Sequence, residues 1–270
     1  MSNVVYSIDR EDNLKFRIKN YNEAKPFASF FPGIAGIMGI PIWCFYVNRG
    51  QCISSFGFDS KDGAIMEFQP ANKAYRYTPL YGFRTFIKIK EEIYEPFHPT
   101  DTNSKWKIEN EMIFSPYDLM LREINNSLGI ETKVKFFTIP EEPIGALARI
   151  VEIKNISGKK LEFEVLDGLP QIIPYGLNDW AMKNMCRTIE AWYIVDNYEN
   201  NLPFYRLKMT FADTAEVKPI KSGHFYFSFI KDNQPLPVII EPDKVFGLSN
   251  DLGFPFVFKN KDFKFPEKQY

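Results

Sequence analysis

The chain has 270 residues, with 33 Lys and Arg against 34 Asp and Glu, so its formal net charge is −1. Hydrophobic residues make up 45% and charged residues 25%, a globular balance that excludes disorder or low complexity as the main state. A charge this close to zero supplies no electrostatic reason to expect nucleic acid or an acidic membrane surface as a partner.

Aromatic residues stand out: 26 Phe, 14 Tyr and 4 Trp, 16% of the chain. Aromatic side chains favour strands and can also stack on the C–H faces of sugar rings, but most belong in a thick β core. The three cysteines, Cys44, Cys52 and Cys186, and the two histidines, His98 and His224, fit no zinc spacing and no disulfide framework. No metal ligand set is therefore assigned. The N-terminus carries no basic-then-apolar leader pattern, and no window holds the roughly 18 uninterrupted apolar residues of a membrane helix. The expectation is a cytoplasmic chain.

In chain order, alternation or apolar runs predict strands over 15–19, 43–47, 52–58, 64–68 and 84–90. Long strands follow over 130–139 and 146–153, separated by two prolines. Residues 161–166 alternate again, and the segment 155–159 between them reads as a hairpin turn. Strands over 204–211 and 224–230 complete the series. One segment differs: 177–198 lacks Gly and Pro, Asn178 can cap a helix, and Met182, Met185, Ile189, Trp192 and Tyr193 recur at helical spacing. The predicted fold is all-β, a large antiparallel super-sandwich of two packed sheets, with one helical segment near 178–196. It forms one domain over 1–270.

The densest polar and aromatic pattern lies between residues 30 and 75. Gly33, Gly36 and Gly39 recur every third residue, without the strand–helix context of a dinucleotide site or the Lys of a phosphate loop. They suit a tight turn whose backbone is closely approached. Trp43 and Tyr46 lie beside Arg49 and Gln51, a pairing of rings and planar polar groups that suits a sugar. Gln69 and Asn72 sit among aromatic residues, and Arg84 lies between Phe83 and Phe86. No catalytic triad, nucleophile elbow or carboxylate pair is legible, and Asp167 before Gly168 reads as a turn residue.

Three runs carry a resemblance: FPGIAG at 31–36, GIPIWCFYVNRGQ at 39–51 and DGAIMEFQPANKAY at 62–75. With the weaker RIVEIKNIS at 149–157 and LEFEV at 161–165, they resemble the start of cellobiose phosphorylase-like proteins. These are inverting glycoside phosphorylases of glycoside hydrolase family 94, with relatives among the β-1,3-oligoglucan phosphorylases of families 149 and 161. The resemblance leans to the β-1,3-glucan branch.

It implies a galactose mutarotase-like sandwich at the N-terminus of a longer enzyme that converts a β-glucoside and inorganic phosphate to α-glucose 1-phosphate. No organic cofactor is implied; phosphate is the co-substrate. The general acid and phosphate ligands of such enzymes lie in a helical (α/α)6 barrel after the sandwich, so no catalytic residue is assigned in this chain. The implied partners are a β-glucan oligosaccharide or disaccharide, the catalytic barrel domain and a second subunit in a homodimer. The rival readings are a free-standing carbohydrate-binding or scaffold protein and a mutarotase-like enzyme.

Overall fold

The computed structural model describes residues 4–10, 14–99, 105–212, 214–230, 233–249, 252–260 and 263. The sequence also predicts a loop over 95–101 and a strand or linker over 263–268; residues 100–101 of the first and 264–268 of the second lie outside the described residues. The chain divides into two compact units, Met1–Asp59 with Phe68–Pro170, and Ser60–Glu67 with Gln171–Tyr270. The described elements are mostly antiparallel β, as the alternation predicts.

The strands, in chain order, are β1 (Val5–Asp9), β2 (Lys15–Lys19), β3 (Ala28–Phe31), β4 (Ile42–Val47), β5 (Ile53–Phe58) and β6 (Ala64–Met66). After helix α1 (Ala71–Tyr81) come β7 (Arg84–Ile89), β8 (Glu92–Tyr94), β9 (Ile108–Phe114), β10 (Asp118–Asn125), β11 (Ile130–Thr138), β12 (Leu147–Asn155) and β13 (Glu164–Gly168). Then follow α2 (Asp179–Asn184), β14 (Tyr193–Asp196), β15 (Phe204–Leu207), β16 (His224–Phe225) and α3 (Pro242–Phe246).

In the first unit a six-stranded sheet runs β1-β2-β9-β10-β11-β12, and a three-stranded sheet runs β13-β7-β8. Strands β3, β4 and β5 form a further antiparallel meander. The sheets meet through Ile87, Ile89 and Tyr94 on one side and Ile130 on the other, with Trp106, Ile108 and Ile153 packed around them. The Phe83 and Phe136 rings lie 5.5 Å apart, and Tyr46 and Phe114 5.1 Å apart. Alternation explains the layers: along β10, Leu119 and Leu121 face the core while Met120 and Arg122 turn away.

The turn at 155–159 forms as the sequence predicts. The Asn155 carboxamide accepts from Ser157 N and donates to Lys159 O. Its flanking strands, however, do not pair with each other. β12 pairs with β11, and β13 pairs with β7 in the other sheet. The connection is therefore an arch between layers, not a hairpin.

Helix α1 falls where no helix is predicted. Ala74, Thr78 and Pro79 form its buried stripe, and Gly82 closes it by donating to Thr78 O. In the second unit, the Asn178 side chain caps α2 by accepting from Ala181 N at 2.8 Å. Ala181 and Ile189 enter the core with Ile173, Leu177 and Leu207, and Met182, Met185 and Trp192 pack against it. The helical segment ends earlier than predicted. A 3-10 stretch covers Cys186–Trp192, and Tyr193 begins β14, opposite Leu207 on β15. The β-branched pair Ile194 and Val195 suits that ladder better than a fourth helical turn.

One buried polar knot ties the first unit together. Arg149 on β12 donates through Nη1 to Asp167 Oδ2 at 2.5 Å and through Nη2 to Asp167 Oδ1 at 2.9 Å. Its Nη2 also reaches Gln51 Oε1 at 2.5 Å and Thr85 Oγ1 at 2.8 Å. Gln51 Nε2 donates to Thr85 Oγ1, and Thr85 Oγ1 donates to Asp167 Oδ1. The guanidinium lies 5.2 Å from the Phe83 ring centroid and 5.9 Å from that of Phe136. Removing one partner strands a buried charge. Arg149→Met is expected to cost about 3–5 kcal/mol in urea unfolding. The double variant Arg149→Met with Asp167→Leu should recover part of that loss.

A second polar feature lies deeper. Glu123, 3% exposed, accepts from the Tyr94 hydroxyl and from Phe97 N, the latter at 3.0 Å. Burial pushes its carboxyl up from the ordinary 4.5 to about 7, against the pull of those two donors. Between these values the folded chain binds a proton that the unfolded chain has released. Stability therefore falls as pH rises from about 4.5 to about 7 and levels above it, by about 3 kcal/mol in all. Urea midpoints measured against pH, with an organic cation as counterion, should show this descent, and Glu123→Gln should remove it.

Candidate functional site

Alternation along β4 sends Ile42 and Cys44 inward and leaves Trp43 and Phe45 partly exposed on the opposite face. Phe30 on β3 stands directly opposite Phe45, and their ring centroids are 4.6 Å apart. Phe68 closes the group, 5.3 Å from Phe45 and 6.2 Å from Trp43, both edge-on. On β5 the residues opposite Trp43 and Phe45 are Gly57 and Ser55. These small side chains leave the rings room on the sheet. Phe30 is 73% exposed and Phe68 42%. The result is a four-ring apolar platform on one sheet face.

Polar residues flank it in sequence. Gln69, half-buried, follows Phe68, and Asn72 is exposed in the first turn of α1. The platform combines one Trp and three Phe, which can cover a sugar ring's C–H face.

The glycine loop between β3 and β4 is a built structure. A Cβ on Gly33 would lie 1.8 Å from Ile42 O, and one on Gly39 1.8 Å from Ala35 O. Gly36 has φ 77°, and a Cβ there would strike the Glu141 carboxylate at 2.1 Å. Glu141 in turn accepts from Ile37 N and Met38 N, and its own N–H donates to Ala35 O. The loop holds Ile37 and Met38 outward, at 94% and 70% exposure.

The other predicted sugar ligands are engaged within the protein. Tyr46 follows a β-bulge at Phe45/Tyr46 and packs edge-on against Phe27 and tilted against Phe114. Arg49 donates to Asn48 O and Ala24 O, and burial draws its guanidinium below its ordinary pKa. Gln51 belongs to the Arg149 knot. Arg84 forms a two-pronged ion pair with Glu95, at 2.6 and 2.7 Å, and its guanidinium lies over Phe86 at 4.7 Å. The structure thus gathers Trp43 with Phe68, and it uses Arg49, Gln51 and Arg84 as scaffold.

Sequence reasoning missed Phe30, Phe45 and Phe68 as companions of Trp43. The signal was present in the period-two pattern of 42–45, but the pairing of Phe30 with Phe45 requires the β3–β4 register. It also missed Arg149, whose partner Asp167 lies on another sheet.

Gly33→Ala should strain the loop's closest approach and destabilise the chain by about 1–3 kcal/mol in denaturant unfolding. Gly158→Ala serves as a comparison, because there an added Cβ meets nothing within 4 Å and only the positive φ of 71° opposes it.

No helix among the described residues is long and apolar enough to cross a membrane. No protein-family model matches this chain, and no curated protein matches it at a significant level.

Proposed function

We propose that this chain is the sandwich portion of a cellobiose phosphorylase-like inverting glycoside phosphorylase, and that its part is to present an aromatic face to a β-glucan. One observation carries the reading. The exposed rings of Phe30 and Phe68, with the half-buried rings of Trp43 and Phe45 beside them, lie in or next to the 31–75 stretch on which the family resemblance rests. A core packing role would hide such rings, whereas a sugar platform needs them open.

In the whole enzyme, a phosphate oxygen would attack the anomeric carbon while the glycosidic C–O bond breaks and a general acid protonates the departing oxygen. A single displacement of this kind inverts the anomeric centre and yields α-glucose 1-phosphate. The reading assigns the acid and the phosphate ligands to a barrel domain. The present chain contributes packing against that barrel, dimer contacts and the sugar-facing platform.

A free-standing carbohydrate-binding protein is the second reading. It is favoured because the four rings share one sheet face and need no other domain to stack on a pyranose.

Calorimetric titration with laminari- and cello-oligosaccharides tests the shared element. Saturable heat is expected, with affinity reduced several-fold by Phe30→Ala and more by Trp43→Ala, since each ring contact contributes about 0.5–1.5 kcal/mol. The absence of heat with both series would overturn the platform. Adding phosphate to this chain with the same sugars should release no glucose 1-phosphate; release would place the catalytic groups in the sandwich.

A further inference from the structure

Strand β1 is the outermost strand of the six-stranded sheet. It pairs with β2 on one side, and no strand among the described residues pairs with its other side. Such an edge presents a row of backbone N–H and C=O groups outward, and proteins blunt it with charge, proline or a bulge. The opposite edge, β12, follows that rule, with exposed Glu152 and Lys154. β1 does not. It contains no Pro, Lys or Arg, and all five of its residues keep regular register with β2. Val5, Tyr6 and Ile8 are each more than half exposed.

Opposite residues of antiparallel strands share a face. Tyr6 stands opposite the buried Ile18, and Ile8 opposite Phe16, so both lie on the inner, apolar face of the sheet. Phe16 stacks on Tyr6 and on Phe114, with ring centroids 6.2 and 6.1 Å away. The apolar layer therefore runs outward through β9 and β2 to β1 and ends there uncovered. Exposed apolar side chains beside an open backbone edge make an interaction surface. What fits it is another strand, one that brings backbone groups and apolar side chains in the same rows.

The strand fits itself. Turned about a twofold axis through Ser7, a second β1 runs antiparallel to the first and all five residues find partners. Ser7 meets the partner's Ser7, Tyr6 meets the partner's Ile8, and Val5 meets the partner's Asp9. The two Tyr–Ile pairs set an aromatic ring against a β-branched side chain, a favourable cross-strand combination. They also cover four side chains that the single chain leaves open. Charge agrees on the other face. The one charged residue of β1 is Asp9, whereas β2 carries Lys15, Arg17 and Lys19 on that face. Across the axis, the partner's Asp9 enters the row that Val5 shares with Lys19, so the acid of one copy meets a base of the other.

We propose that β1 is a self-association edge: two copies of this chain pair antiparallel through Val5–Asp9 about a twofold axis at Ser7, which joins their six-stranded sheets into one continuous sheet. The contact uses the same patch on both copies and closes on itself, so it makes a dimer and not a fibre. A five-residue edge buries little area, and the dimer is correspondingly weak, with a dissociation constant on the order of micromolar. The inference rests on the strand edge alone and is independent of the sugar-binding reading.

Sedimentation velocity of the full chain, from low micromolar to several hundred micromolar, tests the proposal. A concentration-dependent equilibrium between monomer and dimer is expected. Ile8→Lys places a charge among the four apolar side chains and should weaken the dimer at least tenfold. The thermal midpoint of the dilute chain should change little, because Ile8 is exposed in the single chain. Ser7→Cys gives a second readout that is specific to the register. Thiols directly opposite on the axis have Cβ atoms about 4.5–5.5 Å apart, close to what a disulfide needs, whereas Tyr6→Cys puts them on a diagonal at about 7–8 Å. Mild oxidation should therefore link Ser7→Cys into dimers much faster than Tyr6→Cys or the wild-type chain. A chain that stays monomeric over the whole range, a dimer that Ile8→Lys leaves intact, or equal cross-linking of Ser7→Cys and Tyr6→Cys would overturn the proposal.

Discussion

The Arg149 guanidinium is the tie on which the first unit's arrangement depends. It reaches Asp167 on β13, Thr85 on β7 and Gln51 in the turn before β5 from its own place on β12. Those elements belong to different sheets, so one side chain fixes their separation. An arginine suits this position because its planar fork makes several bonds at once and its faces can rest against Phe83 and Phe136. The same tie explains why the 155–159 turn leads across layers. Asp167 must arrive beside Arg149, and β13 does so by pairing with β7.

The aromatic content acquires two roles through this frame. Rings such as Phe83, Phe97 and Phe136 fill the space between sheets. Phe30, Trp43, Phe45 and Phe68 occupy an open face, held by the β3–β4 register and by small residues on β5. The glycine loop between those strands is packed against Glu141 and the backbone of Ile42, so the platform is bordered by a rigid turn.

Polar residues in the core explain several of the missed elements. Strands β9 and β10 have regular geometry, yet Asn110, Glu123 and Asn125 occupy inward positions where an alternating reading expects apolar residues. Glu123 is offset by Tyr94 and Phe97 N, both more than twenty residues away in the chain, and Asn125 Oδ1 by the turn that follows it. Helix α1 is harder to see for a different reason: proline is a poor helix former, and Pro70 precedes this helix while Pro79 lies in its last turn.

Sequence alone determined the class of fold, because period-two alternation and turn residues specify strands locally. It also determined the cap at Asn178 and the inward stripe of the segment that follows, both short-range effects. It marked Trp43 and the glycine turn as unusual. Only the tertiary structure decided which polar groups are free to meet a ligand. Arg49, Gln51 and Arg84 look alike in sequence to any sugar-binding set, but their partners lie on segments from 11 to 98 residues away. Burial and pairing across such distances are set by sheet register and layer packing, and no local pattern encodes them.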